Sequence, residues 1–270
     1  MASSSDNGVS LGPALPTPTH GSGGTFSVSC TALIEATPEE CLNVIVNSLD
    51  YPAWNRFCRT CTIDSQPADT DTHTQPRSQV SHDDGDPNSD QDPADPAPRD
   101  QLTTTTLRLG TQFTFAVYLP PDKPDSGPPD QDVALEVSVL GPINYDHTDD
   151  EDDGTDTDTD NDNNNNSPDT NSNRHDITTD NATTSPRKGL RIAWKVRPSW
   201  LRPGWALRSE RVQDFIETVG PDGKPATEYR CWETFYGTLA PVVKMAVGSH
   251  LEQGFDAWLR GLKERAEGRK

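Results

Sequence analysis

Apolar residues are too scarce in this chain to build a core along its whole length. Only 31% of the 270 positions are hydrophobic, whereas Pro, Asp, Asn, Ser and Thr abound, so a large share of the sequence is excluded from a packed domain. No run approaches the roughly 20 apolar residues that a membrane span requires, and no stable membrane insertion is expected. Cysteine is sparse, odd in number and dispersed: Cys30, Cys41, Cys58, Cys61 and Cys231 fit reduced thiols inside a cell better than a disulfide scaffold. The first residues carry no basic start and no continuous apolar run before Phe26, and no Arg precedes Arg56. A conventional signal peptide or transit peptide is therefore not expected, and a soluble, cytoplasmic protein is. No basic stripe is present to exchange counterions with phosphates, which argues against nucleic acid as a partner.

What the chain has in excess is acid, and the acid is confined. Asp64 to Asp100 holds 10 acids against 2 bases, and Asp146 to Asp180 holds 13 against 1. These excesses of 8 and 12 equal the whole formal net charge of −20. The remainder is close to neutral, so the low pI describes the tracts and not a binding site.

Between the tracts the pattern is that of one domain. Residues 1–24 read as a disordered tail. Phe26, Val28 and Cys30 then alternate with serines, the period-two signature of a strand. Thr37-Pro38 with Glu40 forms a capping box before a short helix carrying Cys41, Leu42, Ile45 and Val46. Asp50 to Phe57, a compact aromatic turn or a second short helix, leads into a strand from about Cys58 to Asp64, so two short helices are expected after the first strand. Disordered inserts are predicted at about 65–105 and 146–186. Further strands are predicted at Phe113–Val117, Val133–Ile143, Leu190–Val196, Leu207–Val219 and Glu228–Gly237. The chain closes on Pro241 to about Glu267, a long amphipathic helix whose stripe is Val243, Val247, Leu251, Phe255, Trp258 and Leu262.

With few long crossovers, a sheet of six or seven strands should be antiparallel. Such a sheet curls, and the terminal helix lying in the curve covers its concave face. The predicted class is α+β, with a cavity where helix and sheet meet. Gly254 and Gly261 sit on the helix's apolar stripe, where each costs about 1 kcal/mol against alanine. Either the helix backbone approaches the sheet closely there, or space is left for a ligand.

Two motifs carry a resemblance. Trp54-Asn55-Arg56-Phe57 is similar to the Trp-Asn-Pro-Phe signature of the START-like superfamily, also called SRPBCC, especially its polyketide cyclase/dehydrase-type members. So is Glu233 to Pro241 followed by Gly254-Phe255 and Leu262-Lys263. The resemblance spans nearly all of the ordered chain, 25–268, as a single START-like domain, and none of the inserts. Arg56 departs from it, since many relatives carry proline there. The resemblance implies a helix-grip fold whose cavity holds a hydrophobic or amphipathic small molecule. Fold alone does not settle activity.

Cavity lining is expected of Trp54, Phe57, Phe113, Phe115, Trp194, Phe235, Val247, Leu251, Phe255 and Trp258, around Gly254; for each residue alone the competing reading is solid core. Glu233 alternates with Cys231 and Phe235, which turns its carboxylate inward if that face is concave, where Arg211 is placed to meet it. The pair is either structural or an anchor for a polar head group. In the opposite register Glu233 is solvated. His250 is the one histidine expected within the ordered domain, and with Glu233 it is the candidate for proton transfer. No Ser-His-Asp or Cys-His arrangement is evident. Cys58 and Cys61 have metal-pair spacing, but no second pair completes a tetrahedral site, and on a strand residues three apart point to opposite faces. Asp156 to Asp162 imitates a calcium loop but has Asn161 in the glycine position. Asn181-Ala182-Thr183 is a sequon relevant only in a secretory compartment. No metal and no cofactor is expected.

The missing catalytic constellation favours binding or transport of a lipid-like, aromatic or polyketide-like molecule. The alternatives are a cyclase or dehydratase using the same cavity, and a ubiquinone-binding, chaperone-like role.

Overall fold

A computed structural model describes residues 8–68, 105–124, 127–145, 186–200 and 203–269. Eight strands form one sheet: β1 (Val9–Gly12), β2 (Phe26–Ile34), β3 (Cys58–Ser65), β4 (Gln112–Val117), β5 (Gln131–Tyr145), β6 (Arg187–Val196), β7 (Arg208–Val219) and β8 (Pro225–Tyr236). Their spatial order is β1-β2-β8-β7-β6-β5-β4-β3, and every neighbouring pair is antiparallel. Helices α1 (Pro38–Val46) and α2 (Tyr51–Trp54) follow β2, and α3 (Ala240–Ala266) closes the chain. This is a curled antiparallel sheet closed by the terminal helix, as the alternation of apolar residues predicts, and the helix-grip arrangement that the resemblance implies.

One side chain shows how far the sheet curls. The Trp258 ring of α3 meets Phe115 of β4 at 6.1 Å and Trp194 of β6 at 5.9 Å, while its Nε1 donates to the Tyr229 hydroxyl of β8 at 3.1 Å. Strands β4 and β8 are four places apart, which in a flat sheet is about 19 Å. Only a curved layer brings both to the same indole.

The predicted tail is corrected from residue 8 onward. Val9–Gly12 pairs with β2 as an eighth strand, and Leu11 packs on the core while its N–H donates to Glu252 of α3. Residues 14–21 then cross the outer face of the sheet on polar contacts. Thr234 Oγ1 donates to Leu15 O at 2.7 Å, Trp232 Nε1 to Pro16 O at 3.0 Å, and the Tyr236 hydroxyl to Gly21 O at 2.8 Å. Such a segment has no apolar period to betray it. His250 is accordingly not alone among the ordered histidines, because His20 packs edge-on against Tyr236 at 5.2 Å.

Most of the two predicted inserts, 69–104 and 146–185, lies outside the described residues, as do the calcium-like run and the sequon. Their attachment points are described. The first leaves β3 and returns before β4, with Gln66 Nε2 donating to Thr106 O at 2.9 Å; the second joins Tyr145 to Arg187, which are paired across β5 and β6. Both therefore occupy connections between antiparallel neighbours, where added length costs little closure entropy.

Thr37 caps α1 as predicted: Glu40 N–H donates to Thr37 Oγ1, and Thr37 N–H donates to Glu40 Oε2 at 2.8 Å.

Candidate functional site

The helix α3 changes character along its length. Its C-terminal half buries Leu251, Phe255, Trp258, Leu259 and Leu262. Its first turns present Val243, Ala246 and Val247 to the same side. Large side chains fill the concavity at one end and small ones leave it open at the other. The open end is a cavity of about 610 Å³ between the start of α3 and strands β4 to β8, within the range of ligand sites.

Register explains which strand residues reach it. Trp194, Arg211, Glu233 and Val28 stand directly opposite one another across β6, β7, β8 and β2, and directly paired residues share a face. The face is the concave one, so the inward register for Glu233 holds. Of the residues expected at the cavity, Phe57, Phe115, Trp194, Arg211, Glu233, Phe235, Val247 and Leu251 line it, and His250 stands on its wall.

Trp54, Phe113, Gly254, Phe255 and Trp258 do not line it. Phe113, Phe255 and Trp258 are fully buried, and Trp54 and Trp258 meet edge to face at 5.2 Å; they form the solid plug behind the cavity. The glycines serve close approach, to a turn and not to the sheet. A Cβ on Gly254 would fall 2.7 Å from the Phe57 ring, and one on Gly261 would fall 2.2 Å from Trp54 O. Two turns of helix thus receive the two ends of the Trp54–Phe57 turn. That turn is set by Asn55, whose Oδ1 accepts from Phe57 N at 3.0 Å and Cys58 N at 2.8 Å. Arg56 takes no part in these bonds and is exposed, so it is accommodated in place of proline.

Sequence reasoning missed the aliphatic walls, among them Val133, Leu135, Val196 and Leu207. Choosing the largest aromatics selected the plug. The available signal was the step from Val243 and Val247 to Leu251 and Phe255 along one stripe.

The polar centre of the cavity is one ion pair. Arg211 Nε and Nη2 both donate to Glu233 Oε2, at 3.0 and 2.8 Å, and Ser209 Oγ donates to Glu233 Oε1 at 2.7 Å. The guanidinium also lies 4.3 Å from the Phe255 ring centre and 5.1 Å from that of Trp258, a position favoured by the ring quadrupoles. Burial works against the Arg211 charge, but the Glu233 carboxylate outweighs it and raises the Arg211 pKa above its ordinary value. Among the described residues Arg211 Nη1 has no hydrogen-bond acceptor, which leaves two donors unassigned beside the cavity.

Cys58 also lines the cavity, and burial pushes its thiol up to about 12, so the thiolate needed for nucleophilic or metal chemistry is scarce near neutrality. A bulge between Cys58 and Thr60 puts Cys58 and Cys61 on the same, buried side, in contrast to the opposite faces expected of a regular strand. No cluster of three metal-ligating side chains occurs among the described residues. No described helix is long and apolar enough to cross a membrane.

The chain matches no protein family model, and no curated relative matches it. Among solved structures, a hypothetical protein of Helicobacter pylori is similar over 88% of this chain and 86% of that one, at 11% identity and a TM-score of 0.42. A START superfamily protein from Mycobacterium smegmatis is similar over 90% of this chain and 95% of that one, at 13% identity and a TM-score of 0.37.

Proposed function

We propose that this protein is a START-like carrier that binds a hydrophobic or amphipathic small molecule, lipid-like or aromatic, between the first turns of α3 and the concave sheet. The observation that carries this reading is the cavity itself, walled mainly by aliphatic and aromatic side chains, with the Arg211–Glu233 pair at its centre and Asp130, Gln131, Arg208 and His250 also on its wall. A ligand placing about 300 Å² of apolar surface there gains about 7 kcal/mol from burial, before the cost of association is subtracted. Arg211 Nη1 and the free lone pairs of Glu233 orient the polar end of the ligand. Because the pair is close to neutral as a unit, an uncharged oxygen suits it better than a second full charge.

Binding is preferred to catalysis because Glu233 is held by three hydrogen bonds from Arg211 and Ser209. Both of its oxygens are thereby engaged by neighbouring side chains, and neither is presented alone to a guest. The test is native mass spectrometry of the purified protein before and after organic extraction, joined to titration with a panel of fluorescent lipids. A bound mass removed by extraction, or saturable uptake of one lipid class, is the expected result. Finding neither overturns the reading.

A further inference from the structure

The mouth of the cavity is surrounded by apolar side chains that the fold leaves uncovered. Trp205, in the connection between β6 and β7, is 72% exposed; Leu239, Val242 and Met245 are 48%, 55% and 87% exposed. The last three follow one another at three-residue steps at the start of α3, so they form a single stripe. Loop and helix are joined where Leu239 N–H donates to Ala206 O at 2.9 Å, and the Gly237 backbone lies against Trp205 O. Leu207 and Val242 continue from this collar into the cavity wall. A soluble surface rarely exposes so many large apolar groups together without a partner.

Charge identifies the partner. The chain holds 43 acidic residues, yet neither 203–208 nor 239–251 contains one. The described cations there are Arg208 and Lys244, and neither has a carboxylate partner among the described residues. We infer that this collar docks on an anionic lipid bilayer, with Trp205 and the α3 stripe entering the headgroup region and Arg208 and Lys244 facing lipid phosphates. Tryptophan favours that interface because its ring is apolar and its N–H is polar. Cations beside an apolar stripe add electrostatic attraction to anionic lipid. A bilayer fits better than a protein groove because the collar borders an apolar cavity, and a guest leaving it enters an apolar phase without crossing water.

Flotation of the full-length chain with vesicles tests this. Binding to phosphatidylcholine vesicles containing phosphatidylserine is expected, with weaker binding to phosphatidylcholine alone and loss of the difference at high salt. The variant Trp205→Ser/Met245→Ser should lower partitioning about tenfold or more, with an unchanged circular dichroism spectrum. The variant Arg208→Glu/Lys244→Glu should abolish the preference for anionic vesicles. Absence of flotation by the wild-type chain, or equal flotation by the serine variant, overturns the inference. So does a dimer seen by analytical ultracentrifugation, abolished by the serine variant, in a protein that binds no vesicles. Uptake of a fluorescent lipid by the serine variant is measured in parallel, so failure of docking and failure of cavity binding give different results.

Discussion

Two carboxylates, the half-buried Glu233 and the buried Glu210, sit near one another in the sheet's middle and serve opposite faces. Glu233 faces the cavity and is matched by Arg211, whose side chain is only 6% exposed. Removing one partner strands the other in a poorly solvated place, whereas replacing both with apolar groups removes two desolvation costs together. Arg211→Met is expected to destabilise the protein by about 3 kcal/mol, and Arg211→Met/Glu233→Leu to recover most of that loss. Urea denaturation of the single and double variants measures the difference. A double variant as unstable as the single one would show that the pair is not the dominant interaction of these residues.

Glu210 points to the outer face, where it accepts from Thr19 N at 2.8 Å, Thr19 Oγ1 at 2.7 Å and Ser138 Oγ at 2.6 Å. Burial alone would raise its pKa, but the hydrogen bonds, led by that from Ser138, outweigh burial and hold it below the ordinary carboxylate value. A carboxyl depressed in the folded state contributes stability that is fully present above its unfolded pKa, about 4.3, and that is lost as pH falls through the lower folded value. The stability gap between wild type and Glu210→Gln is therefore predicted to be widest at neutral pH and to narrow below about pH 4. Denaturation midpoints of both proteins at pH 7 and pH 3.5 check this, and an unchanged gap would contradict it.

At the level of elements, α3 is two helices in one. From Leu251 to Leu262 it is a core helix, and Trp258 binds four strands together through Phe115, Trp194, Arg211 and Tyr229. From Ala240 to Val247 it is the roof of a cavity. The glycines belong to the core half, where they admit the Trp54–Phe57 turn. Gly261→Ala gains up to about 1 kcal/mol in helix propensity, but its methyl would meet the Trp54 carbonyl at 2.2 Å. Backbone is the obstacle, so the helix or the turn must move, and a net loss of about 1–3 kcal/mol is expected. Gly248→Ala is the control. Its nearest neighbour is the flexible end of Leu11 at 3.0 Å, so its cost should be smaller than that of Gly261→Ala. Thermal unfolding of both variants decides, and equal losses would refute the close-approach account.

Across the whole molecule, legibility followed the kind of force involved. Seven strands and the long helix were readable because burial of one face imposes a period on the sequence, as in Phe113, Phe115 and Val117. The Thr37–Glu40 capping box was readable for the same local reason. β1 was not, since four residues between Ser/Gly/Pro stretches give too short a period, and residues 14–21 are held by hydroxyls and carbonyls whose partners lie about 200 positions away. At the site, alternation left two registers open for Glu233, and only the pairing of β7 with β8 sets its carboxylate beside Arg211. Alternation did not separate cavity wall from core plug, because both lie on the concave face; only side-chain size along α3 distinguishes them.

The central claim is that this difference in size leaves a space for a guest. The most direct measurement is fluorescence titration, with a lipid probe that binds the wild-type protein, of Val247→Trp, which puts an indole into the cavity. Ala246→Trp serves as a second variant, and thermal unfolding verifies that each folds. The account predicts one saturable site in the wild type and a loss of affinity of about tenfold or more in the filled variants, with no fall in their melting temperature. Undiminished binding by folded variants would contradict it, and so would a melting temperature lowered by overpacking.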